Sequence, residues 1–185
     1  MKKAIVKMRL ATRAELISTF ERLDFSFTEP FWQHDRVFVP RNYSRDSSLP
    51  RMILRTSVLV PNEDPVYSLL MRRHINNRHL DYLNEFVISN YTEAAHMLYQ
   101  LGYELRTEFG RQRQVLSMSD DVKIFIDHLD NTSQSYAKIE TNLRDNDDPE
   151  AAYQDLLETF RVLEIVGEPV EKTYAEIFEE SQKRA

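Results

Sequence analysis

From residue 4 to residue 142 the chain keeps returning to short stretches in which apolar and polar side chains alternate. That succession of strand-like segments constrains the fold more than any other feature. Residues 4–10, Ala-Ile-Val-Lys-Met-Arg-Leu, put Val6, Met8 and Leu10 on one side and Ile5, Lys7 and Arg9 on the other, which is a strand with a mainly cationic face. The aromatic and β-branched run 31–39, closed by Pro40, predicts a second strand, and residues 52–60 a third. Residues 67–74 and 80–89 read as two strands joined by the asparagine-bearing hairpin loop 75–78. Segments 103–118 and 122–128 read as another antiparallel pair, and 135–142 as a further strand. So many consecutive antiparallel strands leave edges that must be hidden, and closure into a barrel hides them most completely.

Helical spacing interrupts the strands at four places. Thr12, with Glu15 three residues on, predicts an N-cap before Leu16, Phe20 and Leu23. A helix is expected over 92–101, opened by Thr92 and stopped by Gly102. Tyr153, Leu156, Leu157, Phe160 and Leu163 mark an amphipathic helix over 149–163, stopped by Gly167 and Pro169, and a short helix over 171–182 carries Tyr174, Ile177 and Phe178. The expectation is an α+β fold, an antiparallel β-barrel with flanking helices, formed as one domain over residues 1–185.

Composition removes several kinds of chemistry. There are only three glycines, Gly102, Gly110 and Gly167, so no glycine-rich phosphate loop exists and phosphate binding must rely on side chains. The absence of cysteine rules out disulfides, thiol nucleophiles and cysteine-ligated zinc. A net charge of −6 argues against a general attraction to nucleic acid. No apolar run approaches the roughly 18 residues of a membrane span, so a cytoplasmic protein without membrane partners is expected.

Alternation then decides which charges share a face. Lys7 goes with Arg9, Arg51 with Arg55, Arg111 with Arg113, Asp81 with Glu85, and Lys138 with Glu140. Arg73 lies on the side of Leu69 and Met71, with Arg72 opposite, and Asp127 lies between Phe125 and Leu129. If these faces line one cavity, guanidinium forks would bind phosphate oxygens bidentately, and carboxylates opposite them could hold Mg²⁺ or Mn²⁺. The plainer alternative is that each strand has one solvated face. His74 and His79 fit a solvated turn, and Ser44, Ser47 and Ser48 lack the context of a nucleophile.

The run Gln33-His-Asp35-Arg-Val37-Phe38 resembles the second-strand signature of the CYTH superfamily, the class IV adenylyl cyclase and thiamine triphosphatase group. Arg111-Gln-Arg113, Ile126-Asp127, Ala137-Lys-Ile-Glu140 and the ending Lys172-Thr-Tyr-Ala-Glu-Ile resemble later elements of that family in the same order. The resemblance implies a triphosphate tunnel in which Lys7, Arg9, Arg55, Arg73, Arg111 and Arg113 bind phosphates. It implies Glu85, Asp127 and Glu140 as metal ligands and Lys7, Glu85 and Glu140 as catalytic residues. It also implies Mg²⁺ or Mn²⁺, a nucleotide or inorganic triphosphate as ligand, metal-dependent hydrolysis or cyclisation of ATP, and a homodimer. The chain departs from the family where the first-strand Glu-x-Glu-x-Lys reads Lys3-Ala-Ile5-Val-Lys7 and where the closing Glu-x-Glu reads Lys138-Ile-Glu140. Those losses motivate an alternative: a triphosphate-binding or regulatory protein that has abandoned catalysis.

Overall fold

The computed structural model describes residues 1–44, 49–60, 63–74, 80–130 and 132–183. The expected loop 75–78, His79, Ser47 and Ser48 lie outside the described residues. In chain order the elements are β1 (Lys2–Leu10), α1 (Arg13–Arg22), β2 (Phe31–Pro40), β3 (Arg51–Val58), β4 (Val66–His74), β5 (Leu80–Ile88), α2 (Tyr91–Gln100), β6 (Tyr103–Ser117), β7 (Val122–Leu129), β8 (Ser135–Leu143), α3 (Pro149–Val162), β9 (Gly167–Pro169) and α4 (Tyr174–Gln182).

All strands pair antiparallel in one nine-stranded sheet of order β5-β4-β3-β2-β6-β7-β8-β1-β9. The two ends of this sheet meet where Lys2, Lys3 and Ala4 of β1 pair with Tyr82, Asp81 and Leu80 of β5. The expected barrel is therefore a sheet curled into a ring, joined among the described residues along three residues of β1. Further along β1, β9 pairs with Met8, Arg9 and Leu10. Gly167 permits that approach, since a Cβ there would stand 2.6 Å from the Arg9 carbonyl oxygen.

The outer face of the ring is apolar in two places, each covered by helices. Ala4, Val6, Met8 and Leu10 alternate outward from β1 and join Ile124, Ile126, Ala137 and Ile139 beneath α1 and α3, where Phe20 and Phe160 are buried almost completely. Phe38 and Leu54 face outward beneath α2 and meet Ala95 and Leu98. The fourth helix behaves differently: Tyr174, Ile177 and Phe178 pack against Val37, Ile53, Leu70, Phe109, Leu129 and Tyr136, which share the inward parity of their strands. α4 thus closes one end of the ring from within.

Two caps differ from the sequence expectation. α2 begins one residue early, at Tyr91, and its cap is Asn90 in place of Thr92, the Asn90 side chain accepting a hydrogen bond from Glu93 N at 3.0 Å. Thr12 does occupy the N-cap position of α1, but its side chain makes no capping bond. Replacing Asn90 by alanine should therefore destabilise the chain by about 1 kcal/mol. Thr12→Ala should change stability by about 0.5 kcal/mol or less. Urea midpoints of the two variants check both outcomes.

Candidate functional site: a cationic cavity inside the ring

The inward face opposite α4 is built by the same alternation that buries the outer core. β1 turns Lys3, Ile5 and Lys7 inward; β3 adds Arg51 and Arg55; β4 adds Arg72; β6 adds Arg111 and Arg113; and β8 adds Lys138 and Glu140. They line a cavity of about 420 Å³, within the size range of small-molecule sites. Among the described residues, ten lysines and arginines line it against five carboxylates. In a chain of net charge −6, this is a strong local reversal of sign.

The deep carboxylates are held by cations. Asp35 takes a bidentate pair from Arg55 at 2.7 and 3.0 Å, and its Oδ2 also lies 2.9 Å from Arg111 Nη1. Asp127, fully buried, takes a second bidentate pair from Arg113 at 2.6 and 2.7 Å and accepts the Tyr174 hydroxyl at 2.7 Å. Burial opposes ionisation of both aspartates, but the guanidiniums outweigh it, with Arg111 and Arg55 holding Asp35, and Arg113 and Arg111 holding Asp127, far below the usual carboxylate range. Glu140 is held between two ammonium groups, Oε1 accepting from Lys3 and Oε2 from Lys138, the latter at 2.7 Å. Burial opposes its ionisation too, and Lys138 and Lys3 overcome it. Arg72 donates to Asp81.

Register also sets like charges side by side. Lys7 stands directly opposite Lys138 across β1 and β8, and Arg51 directly opposite Arg72 across β3 and β4. Like charges so placed repel and destabilise a sheet. Lys7 donates to the Lys172 carbonyl, and its ammonium lies 4.5 Å from the centre of the Tyr174 ring. Burial, reinforced by Arg72 and Lys138, draws its pKa from 10.5 to about 7. Burial likewise lowers Lys138 to about 8, against the opposing pull of Glu140.

The sequence expectation and the geometry agree in part. Lys7, Arg55, Arg111 and Arg113 all line the cavity, as do Glu85 and Glu140. Arg9 does not: its side chain is 42% exposed and donates to Glu168 of β9. Arg73 does not either. It is exposed, because Leu70 pairs with Ile53 and Glu85 on the inner face, so Arg72 turns inward and Arg73 turns out with Leu69. The three acids expected to share a metal are not brought together. Asp127 is enclosed by Arg113 and Tyr174, Glu140 by Lys3 and Lys138, and Glu85 stands at the rim, 43% exposed, with Oε1 3.7 Å from Arg55 Nη1. Among the described residues no three His, Cys, Asp or Glu side chains are grouped to hold a metal ion. The implied Mg²⁺ or Mn²⁺ therefore does not fit the donors present.

Sequence reasoning passed over Asp35, Arg51, Arg72, Lys3, Lys138 and Tyr174 as site residues. The signal for Lys3 was present, since it shares the parity of Lys7. Tyr174 could not be placed by strand parity, because it enters from the first turn of α4, which a Thr173–Glu176 capping box fixes in position.

No protein-family model matches the sequence, and no curated protein does. Solved structures do match. The PH1819 protein of Pyrococcus horikoshii aligns with a TM-score of 0.80 at 16% identity, over 96% of this chain and 98% of that one. A proposed adenylate cyclase of Vibrio parahaemolyticus aligns at 0.78 and 14% identity, over 96% and 97% of the two chains. A proposed adenylyl cyclase of Hippeastrum with a dominant triphosphatase activity aligns at 0.63 and 13% identity, over 97% and 96%. The chain has the fold of these proteins. It is the fold that the CYTH resemblance implies, and it carries on its inner face the cationic cavity described above. Among the described residues no helix is long and apolar enough to cross a membrane.

The lowered pKa of Lys7 has a defined sign in stability. Between about 7 and 10.5 the unfolded chain holds a proton that the folded chain does not, so the penalty of Lys7 is complete below pH 7 and fades as pH rises toward 10.5. Lys7→Met should therefore be more stable than the parent at pH 6.5, and that advantage should shrink by on the order of 1–3 kcal/mol by pH 9. Urea unfolding of both proteins at the two pH values measures it.

Proposed function

We propose that the chain binds a compound bearing a linear run of phosphates, a nucleoside triphosphate or inorganic tripolyphosphate, inside the ring. One observation carries this reading: the like-charged pairs Lys7–Lys138 and Arg51–Arg72 stand in direct register and line the same cavity. An anion beside either pair is attracted by both of its members and offsets their mutual repulsion, and the guanidiniums of Arg55, Arg111 and Arg113 offer planar donors matched to phosphate oxygens. The fold shared with a triphosphatase from Hippeastrum supports the same ligand class.

The occupied carboxylates favour binding without turnover over hydrolysis or cyclisation. Glu140 and Asp127 are each held by cations, so no free base or metal ligand stands deep in the cavity among the residues first expected to supply one. Glu85, at the rim, is the proposed residue for positioning a water if turnover occurs. Nucleotide or phosphate product formed across a nucleotide panel would overturn the binding-only reading while leaving the ligand class intact.

Calorimetric titration with tripolyphosphate and with ATP should give saturable binding, with thermal stabilisation that grows with ligand concentration. Lys7→Met should weaken tripolyphosphate binding about tenfold, roughly 1.4 kcal/mol, while raising the stability of the unliganded chain. A lack of response to either ligand, or a variant that binds as well as the parent, removes the proposal.

A further inference from the structure

Resting on the triphosphate reading, we infer that the lysines holding Glu140 replace a divalent cation, so that the cavity takes its phosphate ligand free of metal. Lys3 comes from β1 and Lys138 from β8, and their two ammonium groups take one oxygen each of a single carboxylate. All three side chains are largely buried, with exposures of 12% for Lys3, 16% for Lys138 and 7% for Glu140. The trio carries a net positive charge at the cavity wall, and the Phe125 ring, 3.9 Å from the Lys138 ammonium, packs against one side of it.

A divalent ion entering here would need acidic oxygens, and the deep ones are spoken for. Displacing Lys3 and Lys138 from Glu140 would leave two buried ammonium groups unpaired beside a dication. Asp127 offers no better route, because both of its oxygens accept from Arg113 and one also from the Tyr174 hydroxyl. The Asp35 oxygens are likewise shared by Arg55 and Arg111. Elsewhere a metal bridging phosphate oxygens supplies the neutralising charge. In this cavity the excess of basic over acidic side chains among the described residues, ten against five, supplies it directly. An ammonium group neutralises phosphate charge through its own N–H donors, whereas a metal must also be ligated by the protein. The ligand that fits is the metal-free polyphosphate, and a magnesium complex of the same compound arrives with its charge already partly cancelled.

The test is tripolyphosphate titration of the whole chain by calorimetry, once in excess EDTA and once in excess Mg²⁺. Binding about tenfold tighter in EDTA than in Mg²⁺ is expected. Mn²⁺ titrated into the chain alone should give no saturable heat. Binding that appears only with metal overturns this inference and leaves the proposed function standing, whereas no binding under either condition overturns both. Lys3→Glu combined with Lys138→Glu reverses two charges beside Glu140. If this variant folds, as judged by its circular dichroism, it should lose binding in EDTA at least tenfold and acquire saturable Mn²⁺ binding. A folded variant that keeps the parent's EDTA binding overturns the role assigned to the two lysines. Lys3→Met, which keeps the apolar stem, serves if the double variant does not fold; it should lose EDTA binding without gaining Mn²⁺ binding, and unchanged EDTA binding in it likewise overturns that role.

Discussion

A guanidinium that is only 2% exposed, Arg111, organises the interior of the ring. Its Nη1 reaches Asp35 at 2.9 Å, its Nη2 donates to the Gln33 amide oxygen at 2.9 Å, and its Nε has no hydrogen-bond acceptor among the described residues, with Asp127 3.8 Å away. A buried charge of this kind is tolerated only where opposite charges surround it, and removing one partner from such a group costs several kcal/mol. Asp35 and Asp127 provide that surrounding, and they in turn are anchored by Arg55 and Arg113. The chain of contacts crosses β3, β2, β6 and β7 in sequence. It therefore ties four neighbouring strands together by charge pairing on the inner face of the ring.

The interior has two zones, and their boundary is what makes a cavity possible. At one end Val37, Ile53, Leu70, Phe109, Leu129 and Tyr136 form an apolar floor on which α4 rests. At the other the same strands carry the arginines and lysines that line the cavity. Tyr174 belongs to both zones. Its ring packs with Tyr136 on the apolar side, while its hydroxyl donates to Asp127 on the charged side. The last helix is thereby tied to the charge network as well as to the core.

Much of this was legible from alternation alone. The period of two in β1, β6 and β8 separated Val6 from Lys7, Gln112 from Arg111 and Ile139 from Glu140, and the ring respects each of those divisions. Alternation does not say which side of a strand faces inward. For β4 it distinguished Arg72 from Arg73, but the choice between them rests on the pairing of Leu70 with Ile53, a long-range fact that no local pattern contains. β9 escaped notice because Gly167 and Pro169 are helix-stop signals, and a strand of three residues has no periodicity to detect. The same limit applies to the acids: spacing showed that Glu140 shares a face with Lys138, but only the return of β1 beside β8 brings Lys3 to its other oxygen.

The balance of these terms says what kind of site this is. If the cavity were only structural, the cheapest sequence would pair each inward cation with an acid, as Arg55 and Arg113 are paired. Instead Lys7 faces Lys138, and burial draws the ammonium of Lys7 down to a pKa of about 7, close to giving up its proton. A buried group held so far from its ordinary state is strained in the empty protein, and the strain is relieved by whatever restores its charge. An anion does this, and a folded ring holds the cations in place before the anion arrives, so little of the attraction is lost to reorganisation on binding. The repulsion that weakens the unliganded sheet is thus the same interaction, with its sign reversed, that would hold a phosphate chain within it.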